Sequence, residues 1–202
     1  MIEIPSDIPA DLVPLYWLVG EWEGSGVIDY TAGDTHFSGE FSHHVSFRHD
    51  GGPFLAYSAT ATLLATPERP EQQLVAEAGF WRLARPADDA APGPGLLPAL
   101  EAEPERTAAD VERLRLRPDG AFPLEVVLSH SDGVQELYLG EISGPRIDLA
   151  TDAVVRSASA KQYASASRMY GLVDGHLLWA WDIAAVGGEL ASHASARLAK
   201  EQ

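Results

Sequence analysis

The chemistry-bearing side chains of this 202-residue chain are few. Without cysteine there is no disulfide, thiolate metal site or cysteine nucleophile. No Ser-His-Asp arrangement and no paired acid–base carboxylates stand out by spacing. Seven histidines remain, and His193 has the most unusual surroundings. It stands in "GGELASHASARLAK", Gly187 to Lys200, among side chains that are nearly all small. On a strand it alternates with Ala191, Ser195 and Arg197, while Ser192, Ala194 and Ala196 take the other face. From this pattern alone two readings stay open. One is a solvent-facing histidine on a small-residue strand. The other is a ligand whose small neighbours leave room for a flat, non-protein group.

The remaining candidates are weighed the same way. His43 lies in phase with Phe37, Phe41, Val45 and Phe47, as a satisfied core histidine would, or less readily a residue facing a bound group. His36 and His44 fall in the polar phase, and the three make no zinc set because no thiolate or carboxylate recurs with them. His49, His130 and His176 stand at or near turns and are expected on the surface. Trp179 and Trp181 share a face with Leu177 and Ile183, which core packing explains, although they could also line a pocket. Lys161 and Lys200 are the only lysines.

These residues need an all-β frame. Apolar residues at Leu12, Leu15, Tyr16, Leu18 and Val19 have helical spacing, but Pro14 limits the segment to a short helix or 3-10 turn. After it the period is two. Strand-like runs cover Thr35–His49, Pro53–Thr66, Gln73–Leu83, Val111–Arg117, Leu124–His130, Val134–Ile142, Arg146–Ala153, Ala160–Val173, Leu177–Val186 and Leu190–Ala199. Turn signals such as "RPDG", "SDGV" and "VDGH" separate them. The expectation is one up-and-down antiparallel β-barrel of about ten strands, calycin- or lipocalin-like, over residues 1–202, with an open sandwich as the alternative. Pro86–Asp110 breaks the rhythm with five prolines, seven alanines and six acids. It reads as an inserted loop with a helical turn near Leu96–Ala102.

Thirty acids against fourteen bases give a net charge of −16, which argues against nucleic-acid binding. No apolar run reaches the eighteen residues of a membrane span, and "MIEIPSDIPADLVP" lacks the basic start of an export signal. A cytoplasmic protein, monomer or homodimer, is expected.

The first strand opens "GEWEGSG", so Gly20, Trp22, Gly24 and Gly26 form a Gly-x-Trp-x-Gly-x-Gly motif. A tryptophan there can plug the closed end of a barrel while the glycines let chains pass close beneath it. With "GGPFLAY" (Gly51–Tyr57), "EAGFWR" (Glu77–Arg82), "SDGVQE" (Ser131–Glu136), "SAK" (Ser159–Lys161) and the closing "VGGELASHASARL", the chain resembles the nitrobindin family of fatty-acid-binding-protein-like haem barrels. The resemblance spans nearly everything except Pro86–Asp110 and is strongest at the two ends.

It implies one haem b per chain with His193 as the axial iron ligand, and Lys161 paired with a propionate or the haem edge. A threonine near the haem is also implied. In "DYTAGDTHF" this falls to Thr35, with Thr31 competing for the place. The implied activity is isomerisation of peroxynitrite to nitrate at ferric haem, with nitric oxide as a further ligand and no catalytic residue beyond the iron. Ligation needs a deprotonated nitrogen, so binding is expected to weaken below an imidazole pKa of about 6.5. The alternative is a haem-free carrier of a fatty acid or other small hydrophobic ligand, with Arg168, Arg197, Tyr57 and Tyr163 as candidate carboxylate partners.

Overall fold

The computed structural model describes residues 5–32, 34–85, 96, 106–116, 120–185 and 188–201. It opens with a 3-10 helix, Ala10–Leu18. Leu12, Leu15 and Leu18 recur every third residue, so they eclipse on a 3-10 helix, and all three are fully buried.

Eleven strands follow: β1 (Gly20–Ala32), β2 (Thr35–Arg48), β3 (Leu55–Leu63), β4 (Gln72–Gln73), β5 (Glu77–Leu83), β6 (Phe122–His130), β7 (Val134–Ser143), β8 (Arg146–Arg156), β9 (Tyr163–Val173), β10 (His176–Ala185) and β11 (Ala191–Lys200). Every pairing is antiparallel. The order runs β2-β1-β11-β10-β9-β8-β7-β6-β5-β3, and β2 pairing with β3 closes the ring. Ten strands thus make the barrel, and the two-residue β4 is an extra strand on β3. Closure leaves no long edge unpaired, so the barrel expectation holds and the open sandwich does not.

One expected strand is absent. Of Val111–Arg117, the described residues 111–116 form no strand; α1 (Ala108–Glu112) covers their start. The reason is local. Thr107 caps the helix by accepting from the Asp110 amide, and Asp110 accepts from the Thr107 amide in return. Val111 is then buried from a helix instead of a strand. The helical turn expected near Leu96–Ala102 lies, except for Leu96, outside the described residues, as does most of the Pro86–Asp110 insertion.

The strand directions give the barrel two ends. At the closed end the 3-10 helix plugs the opening. Trp22 is buried there, and its indole donates to the Leu18 carbonyl at 2.7 Å. The motif glycines serve contact with β11: a Cβ on Gly24 would collide with the Arg197 carbonyl, and one on Gly26 with the Ser195 carbonyl and the Phe41 ring. A packed aromatic group of Phe47, Tyr57, Trp81 and Tyr170 fills the middle, with ring centroids 5.1–5.8 Å apart. Among the described residues no helix is long and apolar enough to cross a membrane.

Candidate functional site

Toward the open end the core gives way to a cavity of about 630 Å³, within the size range of small-molecule and cofactor sites. Ile28, Phe41, Ala59 and Ile183 supply apolar wall, and His43, Glu77, His130, Arg168 and His193 supply its chemistry.

His193 reaches this cavity by breaking the alternation of its strand. Ala194, Ala196 and Leu198 are buried, so strict alternation would turn His193 outward with the exposed Ser195 and Arg197. Instead Trp181 pairs with Ala194 and Asp182 with Ser192, which leaves His193 as the extra, unpaired residue of a β-bulge. Bulges re-aim side chains in this way, and the half-buried imidazole lines the cavity. The small-residue wall beside it is therefore Ala191, Ser192 and Ala194, all cavity-lining, whereas Ser195 and Arg197 face solvent.

The imidazole is held by rings. Tyr30 lies 4.7 Å away, tilted by 37°, and Trp181 5.1 Å away at 84°. Its Nδ1 is buried and has no hydrogen-bond partner among the described residues, so none of these supplies the carbonyl or carboxylate that usually orients a ligating histidine. Nε2 is the accessible nitrogen. Burial, with a smaller contribution from the nearby Arg168 charge, pushes its pKa down to about 4. The ring is thus neutral at physiological pH, as a metal ligand must be. The weakening expected below about 6.5 moves accordingly to near pH 4.

The other expected residues divide. Lys161, in the turn before β9, is exposed and belongs to the cavity mouth. Thr31 lines the cavity, but Thr35 is exposed, pairs with Ala32 and is not brought to it. Trp22 and the motif glycines stay in the closed end as framework. His43 is buried in the cavity wall, and its Nδ1 accepts from the Trp179 indole at 3.0 Å. Burial lowers its pKa to about 4 as well.

His130 corrects the expectation of a surface residue. It continues the inward phase of Leu124, Val126 and Leu128, and its side chain is only 5% exposed. Its Nε2 lies 2.7 Å from Glu136 and 3.7 Å from Glu77. These belong to a buried charge network at the cavity wall. Arg168 donates to both oxygens of Glu77 at 2.8 and 2.7 Å, to the Tyr138 hydroxyl at 3.0 Å, and to Glu136 at 3.4 Å. Tyr57 donates to Glu77 at 3.1 Å, Tyr138 to Glu136 at 2.7 Å, and Tyr163 to the same Glu136 oxygen. The Arg168 guanidinium also lies 4.4 Å over the Trp181 ring that meets His193.

Burial alone would raise the Glu77 pKa, but the Arg168 charge and its hydrogen bonds overcome this and bring it to about 2. Burial works against the His130 cation too, yet the Glu136 hydrogen bond and both carboxylates hold its pKa above the usual value. Two carboxylates thus face an arginine and an imidazole whose protonated form they favour. Sequence reasoning missed this network as a unit. Its signal was available: Glu77, Glu136, His130 and Arg168 each occupy the inward phase of an otherwise apolar strand face.

The site fits a haem on this chain's own geometry: a roomy, largely apolar cavity, a neutral imidazole with one free nitrogen, and a wall of small residues beside it. Comparison with known proteins agrees. The model of the THAP4-like, heme-binding beta-barrel domain matches residues 11–200. A peroxynitrite isomerase of Leifsonia xyli subsp. xyli is 56% identical over 202 residues, covering 100% of both chains. One from Clavibacter sepedonicus is 50% identical, covering 98% of each. Among solved structures, Rv2717c from M. tuberculosis superposes with a TM-score of 0.67 at 23% identity, over 99% of this chain and 100% of that one, which speaks for the fold alone. From the opening glycine motif to the closing histidine strand, this chain belongs to the family of THAP4-like, heme-binding β-barrel domains.

Proposed function

We propose that the chain is a peroxynitrite isomerase that holds one haem b through His193 and also binds nitric oxide at the same iron. The observation that carries this reading is the bulge that turns His193 into the cavity with a neutral, accessible Nε2. The relatives at 56% and 50% identity are peroxynitrite isomerases, which supports the reaction. We read residues 1–202 as one such unit, with Pro86–Asp110 inserted between β5 and β6.

When bound, ferric haem supplies an open coordination position and the electron-transfer chemistry on which an O–O bond can rearrange. The chain does the rest. His193 Nε2 holds the metal, and Tyr30 and Trp181 fix the plane of its ring. Ile28, Phe41 and Ile183 exclude water. Lys161 offers a cation at the mouth to a haem propionate, and Thr31 takes the place of the haem-side threonine in preference to Thr35. No side chain is needed to carry a proton, because isomerisation to nitrate consumes none.

The fatty-acid carrier is the weaker reading. Arg168, Tyr57 and Tyr163 do come together, but around Glu77 and Glu136 of the chain itself. Arg197 is exposed on the outside of the barrel, near His176. Hemin titration tests the proposal. The wild-type chain should take up one equivalent, give a histidine-ligated ferric spectrum and accelerate peroxynitrite decay to nitrate. His193→Ala should lose all three. An unchanged spectrum and unchanged decay in that variant would overturn the assignment.

A further inference from the structure

The Arg168 network has the form of a ligand site that already holds its ligand. A bidentate arginine with a tyrosine hydroxyl on the same carboxylate is a geometry that proteins use to recognise acids. Here the carboxylate belongs to Glu77. Both its oxygens receive Arg168, at 2.7 and 2.8 Å, and one also receives Tyr57 at 3.1 Å. Arg168 is 2% exposed and Glu77 11%, and both line the cavity. The carboxylate therefore sits where the acid head of a lipid would sit, with the apolar wall of Ala59, Phe41 and Ile183 available to a chain.

We propose that Glu77 is a built-in stand-in for a ligand carboxylate, a specificity-determining residue that keeps acid-headed lipids out of a cavity otherwise able to grip them. The inference concerns the haem-free chain and stands whether or not haem binds at His193.

The physical argument is one of occupancy and charge. With Glu77 in place, the Arg168 fork is taken up by a tethered carboxylate, so an incoming anion must displace a competitor that belongs to the chain. Without the Glu77 side chain, Glu136 meets Arg168 at only 3.4 Å, and the Arg168 fork is left buried beside an opening into the cavity. A buried unpaired charge is strongly unfavourable, and an exogenous carboxylate relieves it.

The test is decanoate binding to the haem-free full-length chain, with decanol as the uncharged control. Glu77→Ala should bind decanoate at least about tenfold more tightly than wild type, the lower bound for a charge-assisted hydrogen bond, and more tightly than it binds decanol. Glu77→Gln fills the same space without opening it and should show no gain. Equal gains for decanol and decanoate, or no gain for Glu77→Ala, would overturn the proposal. Should Glu77→Ala fold poorly, its refolding yield is the readout. Recovery in acetate but not in chloride supports the stand-in role, and equal yields in both refute it.

Discussion

The two ends of the barrel are built on opposite principles. The closed end is stabilised by shape. Trp22, the leucines of the 3-10 helix and glycines that let β1 and β11 approach pack against one another, and the buried charge there is Asp11, ion-paired with Arg106. The open end carries buried charge around a cavity, and its strands depart from regular pairing. Register shifts occur opposite Trp181/Asp182 and at Ala184/Ala185, where Trp181 and Ala185 line the cavity, and a third lies at Leu137/Tyr138. Regular packing makes the frame, and irregular pairing aims the side chains that act.

Substitutions at the two ends should separate these roles. Trp22→Ala removes the closed-end plug and should cost about 3–5 kcal/mol of unfolding free energy, measured by denaturant titration, while the cavity side chains remain in place. Arg168→Met should cost a similar amount, about 3–5 kcal/mol, for a different reason: Glu77 and Glu136 are left buried without their arginine. The signatures differ with pH. The Arg168→Met penalty should shrink in acid as the stranded carboxylates take up protons, whereas the Trp22→Ala penalty should not.

Smaller changes sharpen the contrast inside the cavity. Trp179→Phe removes the donor to His43 and should cost about 1 kcal/mol. Acidification of the haem-free chain reads both buried imidazoles. His43 and His193 have folded pKa values near 4 against about 6.5 unfolded. The unfolded chain therefore binds more protons in this window, and stability should fall as pH drops from about 6.5 to 4. Their contribution should be flat above that window, and an NMR titration of the two rings measures it directly. Lys161→Ala should be the mildest, within about 0.5 kcal/mol in stability, with its effect confined to weaker hemin uptake.

The same division explains what could be read in the sequence. The barrel was legible because two-residue alternation and Asp-Gly turns persist from β2 to β11, and the 3-10 helix because Leu12, Leu15 and Leu18 repeat in threes around Pro14. The Val111–Arg117 segment was misread because an apolar-polar alternation this short does not outweigh a Thr107–Asp110 capping box. The position of His193 in the chain was legible, but its direction was not. Phase places it outside, and only the bulge, set by the pairing of β10 with β11, turns it in. His130 shows the reverse. Its strand phase pointed inward, but its place beside a turn suggested solvent. The charge network escaped notice because its members come from four separate strands.

The bulge on β11 also bears on how such a protein can change over generations. Loss of a single codon at Ser192 would restore even pairing opposite Asp182 and swing the imidazole to bulk solvent, while Ala194 to Leu198 kept their partners. A lineage could thus silence its metal chemistry in one genetic step and keep an intact shell, free to be recruited for another guest.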